Sequence, residues 1–347
     1  MARHSLSAII DVYRPDLIPL AENLRALAFP LMKVFPAEYC VTRAVEQGDL
    51  RPGGLVVETS SGTMALGLAI VCRLLDFPLS IVSDCACDNS LRRRMEDLGA
   101  NVEIVTAPAV SGGYQRARLD RVRQICGAVR GSWWVNQYDN PSNAAAYHAV
   151  AEDLMNSSDR IDCLIGAVGS GGSMSGLARR LRQRFPSLYV IGVDTGGSVL
   201  FGQPDASRIL RGLGNSLIPR NLDHTLFDEV HWVSAAEAYT ATRLLHRETT
   251  LFRGGTSGAC WMVARHWAQS HPDSKTVCVF ADDGQRYAKT IYNDDYLAAN
   301  SLWIDSLPPD PIEMQNPGTV TTSWSFYKWG RRSLSQVKTD ASFRRSA

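Results

Sequence analysis

Short apolar runs alternate with amphipathic segments along most of this chain. The apolar runs are typical of buried strands and fall at 54–60, 78–84, 101–107, 132–138, 163–168, 188–194 and 275–283. Segments with helical periodicity follow them, among them 62–75, 89–100, 113–129, 143–155, 174–185 and 230–246. Short strands that alternate with helices are typical of parallel sheets with helical crossovers. The pattern therefore predicts an α/β fold built from doubly wound open parallel sheets.

The number of strand–helix pairs is too large for one compact sheet, so we expect two α/β domains. The segment DNPSNAAAYH (139–148) supplies turn residues before a long helix, which favours a boundary near residues 140–150. A chain of 347 residues with 45% hydrophobic content can bury two medium-sized cores. In open α/β sheets, ligands bind beyond the carboxyl ends of the strands.

A glycine-rich loop separates one predicted strand from its helix. The segment IGAVGSGGSMSGLARRL (165–181) places Gly169, Ser170, Gly171, Gly172 and Ser173 between an apolar run and an amphipathic helix. One interpretation is an ordinary turn, since glycine tolerates unusual backbone angles. The other is an anion-binding loop, because backbone N–H groups and a helix N-terminus would converge on one point. The spacing matches neither the dinucleotide nor the P-loop pattern, so a ligand with one phosphate fits better.

Two further loops have the same organisation. ETSSGTMALG (58–67) follows one strand and opens a helix, and FRGGTSGACWMVARHW (252–267) opens another. Three small-residue loops at helix starts favour a polyanionic ligand, although three ordinary capped helices remain an alternative.

Charge and cysteine content exclude several classes of protein. The net charge is +1 and the pI about 7.6, so no overall charge attracts nucleic acid or a membrane surface. We therefore expect no nucleic-acid partner and no membrane partner. We also expect no metal, because CAC at 85–87 has the wrong spacing for a zinc site. The N-terminal segment has no long apolar stretch of a signal peptide, which predicts a cytoplasmic protein.

Lysine is rare in this chain. The chain contains five lysines. The first is Lys33, in LAFPLMKVFPAEY, and the next follows more than 200 positions later. A surface lysine is one interpretation. An apolar environment, however, lowers the pKa of a lysine and suits it to form a Schiff base. A lysine together with a monophosphate site suggests pyridoxal phosphate.

These motifs resemble those of the cysteine synthase family of fold-type II pyridoxal-phosphate enzymes. The family's T-S-G-N loop resembles Ser-Ser-Gly-Thr at 60–63, and its G-T-G-G-T loop resembles 169–173. Its G-I-S-S-G-A segment is similar to 254–259, and its G-x-R-Y segment to 284–287. Around the lysine, Lys33, Pro36 and Ala37 match the family motif. The agreement in order and spacing extends from about residue 31 to residue 297.

The resemblance implies two domains with the cofactor in the cleft between them, and a homodimer. Residues 35–147 would form a smaller, mobile substrate-binding domain, and residues 1–34 with 148–304 a larger cofactor-binding domain. Lys33 would be the catalytic lysine, and Thr63, Gly169, Ser170, Gly171, Gly172, Ser173 and Thr256 would join it in binding the cofactor. Small amino-acid substrates would be bound by Ser60, Ser61, Gly62, Thr63, Gln137, Tyr138 and Arg118.

Arg118 and Tyr138 are expected to bind a second anionic group, since a guanidinium suits a phosphate or a carboxylate. A solvated position on a helix is the alternative for Arg118.

Longer segments resemble one branch of the family. They are SGGYQRARLDRVRQI, WWVNQYDNPSN, VDTGGSVLFG and RGLGNSLIPRNL. The branch implies β-replacement on O-phospho-L-serine or O-acetyl-L-serine through an aminoacrylate, with an amino-acid amine such as L-glutamate as nucleophile. The product would be a precursor of 2,3-diaminopropionate, used for a siderophore or another secondary metabolite. Two alternatives are a cysteine synthase or cysteine desulfhydrase, and a catalytically impaired member that acts as a binding protein.

Three departures from the family pattern support the last alternative. LAFPL stands before the lysine in place of the family sequence. Val34 and Phe35 replace the family's aspartate and arginine after the lysine, and Thr63 replaces the family's asparagine. A threonine hydroxyl can still donate to the cofactor's 3′-oxygen.

The C-terminal extension, 305–347, lies outside the resemblance. It begins with a proline-rich stretch, LPPDPIEMQNPG, and continues with Trp324, Phe326, Tyr327 and Trp329. We expect residues 320–330 to dock through these aromatic side chains and the last ten residues to be disordered.

Overall fold

The computed structural model describes residues 3–110 and 113–343, with side chains from residue 6 to residue 339 of those ranges. The chain forms two compact units. Of the described residues, the smaller unit contains 3–14, 31–110 and 113–147, and the larger unit contains 15–30 and 148–343.

The smaller unit is built on a parallel sheet in the order β5-β4-β3-β6. Its strands are β3 (Val56–Thr59), β4 (Leu79–Asp84), β5 (Asn101–Val105) and β6 (Trp133–Trp134). Its helices are α1 (Arg3–Asp11), α2 (Val34–Gln47), α3 (Thr63–Leu75), α4 (Asn89–Asp97), α5 (Gly113–Ala128) and α6 (Ser142–Ala145).

Helices cover both faces of this sheet. Successive residues of a strand point to opposite faces, so each strand contributes side chains to two cores. Val56 and Ile81 pack in the same core cluster as α2, α3 and α4. Their neighbours Val57 and Val82 pack against Val122 of α5. The doubly wound arrangement expected from the apolar runs is therefore present.

The larger unit has a sheet in the order β1-β2-β10-β7-β8-β9-β12-β11 within the described residues. Its strands are β1 (Asp16–Ala21), β2 (Leu24–Ala28), β7 (Cys163–Ala167), β8 (Tyr189–Asp194), β9 (Glu229–Trp232), β10 (Thr276–Phe280), β11 (Ile312–Glu313) and β12 (Ser325–Lys328). Its helices are α7 (His148–Ser157), α8 (Gly172–Leu181), α9 (Ala235–Thr249), α10 (Gly255–Ser270), α11 (Asp294–Ala299) and α12 (Leu334–Phe343).

The central strands of this sheet are parallel, as the strand–helix alternation predicts, whereas β1 and β12 run antiparallel to their neighbours β2 and β9. Such additions are common at the margins of α/β sheets. They were not part of the expected purely parallel arrangement, because β1, β11 and β12 lie in segments that lack the strand–helix repeat.

The two units divide the N-terminal region differently from the expected domains. Residues 3–14 and 31–34, expected in the larger domain, belong to the smaller unit. Leu31 and Val34 are part of the core that α2 and α3 share, and Ile10 of α1 packs against it. Burial of these side chains, which no local pattern reveals, places the segment with the smaller unit.

The C-terminal extension packs onto the larger unit. Its strand β12 forms a ladder with β9, and Trp324 and Trp329 are fully buried. The Trp324 indole N–H donates to Nδ1 of His231 over 2.9 Å. Residues 334–343 are helical although disorder was expected for the last ten residues, because Val337 is buried and Ser333 accepts the Gln336 N–H at the helix start. Residues 344–347 lie outside the described residues.

One expected helix is divided in two. The pattern predicts a continuous helix over 143–155, but α6 ends at Ala145 and α7 begins at His148. Tyr147, in the break, is fully buried. Separately, no helix in the described part of the chain is long and apolar enough to span a membrane.

Candidate active site

The loop between β3 and α3 carries the residues expected to bind the substrate carboxylate. Ser60 is buried, and its hydroxyl accepts the backbone N–H of Gly62 over 3.1 Å. Gly62 is the residue before the first turn of α3, which begins at Thr63. The first N–H groups of a helix have no partner within it, so this loop offers donors to an anion. Ser60, Ser61, Gly62 and Thr63 therefore lie at the start of α3, where such donors are available.

Lys33 lies directly before α2 of the same unit, at the position where the helix begins. Burial lowers the pKa of its amine from 10.5 to about 8, and the charges of Cys40 and Glu58 act in the opposite direction. The departures from the family motif, Val34 and Phe35, are buried in the first turn of α2. An amine with a pKa near neutral can both form a Schiff base and carry a proton.

Gln137 follows β6 and is held against the end of β3. Asn136 has a positive φ of 53°, which turns the chain after the strand. The Gln137 side chain donates to the carbonyl oxygen of Thr59 over 3.0 Å. Gln137 is therefore adjacent to the Ser60 loop, as expected for a residue that completes a carboxylate site.

Arg118 is buried on α5 rather than exposed on a solvated helix face. Its Nε lies 3.2 Å from Oδ2 of Asp84, and the exposed fractions of the two side chains are 9% and 6%. Burial raises the pKa of the Tyr138 phenol, whereas the nearby charge of Arg118 and a hydrogen bond with Gln115 lower it. Arg118 and Tyr138 thus form one cluster at the carboxyl ends of β3 and β4, in which Asp84 partly balances the arginine's charge.

The glycine-rich loop of the larger unit follows β7 and leads into α8. Gly171 has a φ of 79°, and a Cβ atom there would lie 2.6 Å from Cα of Leu222, so only glycine fits. Ser170 and Ser173 are mostly buried, and Ser173 lies in the first turn of α8. This geometry supports the anion-binding interpretation, since it aims the free N–H groups of a ten-residue helix at the loop.

A second glycine segment supports this loop from behind. The N–H of Gly214 donates to the carbonyl oxygen of Val168, and Asn215 donates to that of Gly169. A Cβ atom at Gly212 would lie 3.2 Å from the Thr256 methyl, and a Cβ atom at Gly169 would lie 3.1 Å from the Gly212 oxygen. The segment 212–215 therefore joins the glycine-rich loop to Thr256. It resembles an ordinary glycine turn in the sequence, so its role was missed.

Thr256 lies in the first turn of α10 and is 5% exposed. Its hydroxyl and that of Ser257 are buried without a hydrogen-bond partner among the described residues. A buried hydroxyl without a partner costs free energy and is normally explained by a ligand or water. A pyridine nitrogen is a suitable partner, so these residues fit pyridoxal phosphate.

Asp282, at the end of β10, is a second buried polar group in this region. The Tyr287 hydroxyl donates to its Oδ2 over 2.8 Å, and its Oδ1 is buried without a partner in the described part of the chain. Burial raises the pKa of Asp282 to about 6, against the effects of Tyr287 and Arg286. The G-x-R-Y segment at 284–287 thus supplies a tyrosine that supports this carboxyl group.

Sequence reasoning also missed Glu58, a fully buried carboxyl group in the smaller unit. The signal was an acidic residue inside the apolar run LVVET, where a charge must find partners.

For metals, no group of three His, Cys, Asp or Glu side chains in the ranges 3–110 and 113–343 could hold an ion.

Comparison with known proteins places these motifs in one family. The model of the family described as "Pyridoxal-phosphate dependent enzyme" matches residues 31–282. A protein named N-(2-amino-2-carboxyethyl)-L-glutamate synthase from Cupriavidus metallidurans is 38% identical over 269 residues, covering 76% of this chain and 79% of that protein. A protein of the same name from Ralstonia nicotianae is 35% identical over 266 residues, with the same coverage.

A solved structure shares the fold. O-acetyl serine sulfhydrylase isoform 3 from Entamoeba histolytica has a TM-score of 0.73 at 21% identity, over 84% of this chain and 93% of that one. At that identity the likeness concerns the fold alone. The resemblance inferred from the motifs is confirmed by the family match and by the two relatives, and this chain belongs to the pyridoxal-phosphate dependent enzyme family.

Proposed function

We propose that this chain is a transferase that replaces the β-substituent of an activated L-serine with the amine of an amino acid such as L-glutamate. The donor is O-phospho-L-serine or O-acetyl-L-serine, and the product is a precursor of 2,3-diaminopropionate. The observation that carries the proposal is the pair of relatives named N-(2-amino-2-carboxyethyl)-L-glutamate synthase, at 38% and 35% identity over 76% of the chain.

The replacement makes defined demands on the residues. The bond between Cβ and the leaving oxygen breaks, a bond between Cβ and the acceptor nitrogen forms, and the acceptor amine loses a proton. The proton on Cα is removed at the start and returned at the end. Pyridoxal phosphate, when bound, supplies the electron sink for the charge left on Cα.

Lys33 would hold the cofactor through its amine and carry the Cα proton. Its pKa of about 8 supports this role, because the amine can release and accept a proton close to neutral pH. The loop 169–173 would bind the phosphate group, and the Thr256 hydroxyl would bind the ring nitrogen. An uncharged partner at that nitrogen would favour loss of the leaving group.

The substrate carboxylate would be bound by the Ser60–Gly62 loop, Thr63 and Gln137. Backbone N–H groups at the start of α3 offer donors without adding a charge that must be neutralised. Thr63 would also donate to the cofactor's 3′-oxygen.

Arg118 and Tyr138 would contact a second anionic group, the phosphate of the donor or a carboxylate of the acceptor. Since Asp84 partly balances Arg118, we expect the Tyr138 hydroxyl to share this task.

We propose that the chain works as a homodimer in the cytoplasm, on small amino-acid substrates, and supplies a siderophore or another secondary metabolite. Sedimentation velocity of the purified protein tests the homodimer, and a monomer at micromolar concentration would contradict it.

Product analysis tests the reaction itself. Purified protein is incubated with O-phospho-L-serine or O-acetyl-L-serine, each with glutamate or sulfide, and the products are identified by mass. The proposal expects an adduct of glutamate and the three-carbon unit of serine. Cysteine formed from sulfide, with no glutamate adduct at millimolar glutamate, would indicate a cysteine synthase instead. No turnover of either donor would indicate an impaired member.

A further inference from the structure

Glu58 is a buried acid with no role in the chemistry described so far. It is the third residue of β3, at the carboxyl end of the sheet, and its side chain is fully buried. A buried carboxylate costs free energy unless it is paired and hydrogen-bonded, so its partners indicate what it does.

The Glu58 carboxylate binds both segments that carry the proposed carboxylate site. Oε1 accepts the backbone N–H of Thr59 over 2.6 Å and the Trp134 indole N–H over 3.3 Å. Oε2 accepts the backbone N–H of Gln137 over 2.9 Å. One carboxylate therefore connects the residue before Ser60 to Gln137, with a donor on each oxygen.

Other hydrogen bonds complete this connection. The Gln137 side chain donates to the Thr59 carbonyl oxygen, so the two segments are joined in both directions. Asn143 of α6 donates to the Gln137 carbonyl oxygen over 2.6 Å. The backbone of Gln137 is thus held on both sides, which fixes where its side chain can lie relative to the Ser60 loop.

Several charged and titratable groups of the smaller unit act on or respond to Glu58. Arg118 of α5 stabilises its charge, and Asp84 of β4 is paired with Arg118. The charge of Glu58 raises the pKa of Cys126 in α5 and of Tyr138 after β6. It also raises the pKa of Lys33, which directly precedes α2, and of Cys40 within α2.

The charge of Glu58 also influences the pKa of Lys33. Burial lowers the pKa of Lys33, and the negative charge of Glu58 opposes that effect. Burial raises the pKa of Glu58 itself to about 7, while its three N–H donors lower it. The acid is therefore ionised at mildly alkaline pH, where all three donors are best satisfied.

We propose that Glu58 is a positioning residue, whose carboxylate holds Gln137 against the Ser60 loop. The inference rests on the proposed function, since it assigns that loop and Gln137 to the reaction. It does not depend on which amine or sulfide is the acceptor.

The test uses Glu58→Gln, which keeps the shape but replaces one acceptor oxygen by a donor. The matched control is Glu103→Gln, an acid of β5 in the same sheet that pairs with Arg121. Glu58→Asp is a third variant, because it keeps the charge but is one methylene too short to reach both backbone N–H groups.

One readout needs no catalysis and uses protein freed of cofactor. Hydrogen exchange in the segments 59–62 and 135–138 should be at least about tenfold faster in Glu58→Gln and Glu58→Asp than in the control. With cofactor restored, the KM for the serine donor should rise more than kcat falls.

Unchanged exchange in both segments would overturn the proposal. Should Glu58→Gln not fold, hydrogen exchange of the wild type at pH 5 and pH 8 decides, after correction for intrinsic rates. At pH 5, where Glu58 is protonated, the protection of the two segments relative to that of β4 and β5 should be lower than at pH 8. An equal ratio at both pH values would refute the proposal. Failure to form any β-replacement product would instead count against the proposed function, since the cofactor-free hydrogen exchange does not depend on it.

Discussion

A Cβ atom at Gly67 would lie 2.6 Å from the carbonyl oxygen of Lys33 and 2.9 Å from its carbonyl carbon. Gly67 lies one turn into α3, four residues after Thr63, and the absent side chain lets the helix contact the Lys33 backbone directly. Lys33 and the loop 60–62 are therefore supported by the same helix.

Gly67→Ala should displace Lys33, because the added methyl group meets backbone atoms that cannot rotate away. We expect a loss of about 1–3 kcal/mol in the free energy of unfolding, together with less cofactor bound to Lys33. Urea denaturation and the yield of borohydride-reduced adduct measure the two effects. Gly127→Ala in α5 is the control, since nothing lies within 4 Å of its added Cβ atom, and it should be neutral or stabilising. Equal behaviour of the two variants would contradict the role of Gly67.

Lys33 should carry the cofactor covalently. The purified protein should be yellow, and borohydride reduction followed by peptide mapping should place the adduct on Lys33. Lys33→Ala should lose that link while it keeps its fold, as judged by circular dichroism. An adduct on Lys275 or Lys289 would show that the N-terminal motif has been aligned incorrectly.

Thr63→Asn restores the residue that the family has at this position. Since Thr63 begins α3 and is partly exposed, we expect the protein to fold normally. The absorption spectrum of the bound cofactor or the turnover rate should change, because the side chain would donate to the 3′-oxygen. If neither changes, Thr63 does not contact the cofactor.

Arg118→Ala should affect both stability and acceptor use. Removing the guanidinium leaves Asp84 buried without its partner, which should cost about 3–5 kcal/mol in the free energy of unfolding. Under conditions where the variant stays folded, use of the amino-acid acceptor should fall by roughly ten- to a hundredfold, the value of one charge-assisted hydrogen bond. The rate at which acetate is lost from O-acetyl-L-serine should be nearly unchanged, and stopped-flow spectroscopy measures that rate.

Arg116→Ala provides the control for Arg118. Arg116 is on the same helix, its side chain is 58% exposed, and it pairs with Asp120. Exposed ion pairs contribute little, so this variant should lose less than about 1 kcal/mol. A stable Arg118→Ala protein with normal acceptor use would show that the buried pair serves neither purpose.

Glu58 should make the stability of the protein depend on pH. Its pKa in the folded protein, about 7, is above the ordinary value of 4.5, so folding favours the protonated acid. The resulting stabilisation is present below pH 4.5 and is lost as the pH rises through about 7. Relative to Glu58→Gln, the wild-type free energy of unfolding should fall by on the order of 3 kcal/mol between pH 4.5 and pH 8. Urea titrations at several pH values measure this difference, and a constant difference would contradict it.

The sequence by itself determined the order of strands, loops and helices, because these depend on local patterns. The apolar run 163–168 and the glycines after it predicted the strand, the loop and the helix that the structure shows as β7, 168–171 and α8. Glycine at 171 is required by a positive φ, a property of the local backbone that a motif can encode. The family and its cofactor followed from such motifs.

Only the tertiary structure decided which charged side chains are buried. The arginines of α5 look alike in the sequence, yet Arg118 is enclosed with Asp84 while Arg116 is largely exposed. Which of them faces the sheet depends on how the helix packs across β3 and β4, and Asp84 is 34 positions away in the chain. In the same way, the link from Glu58 to Gln137 spans 79 residues. Contacts of this kind arise from packing between distant segments, and no local pattern of residues specifies them.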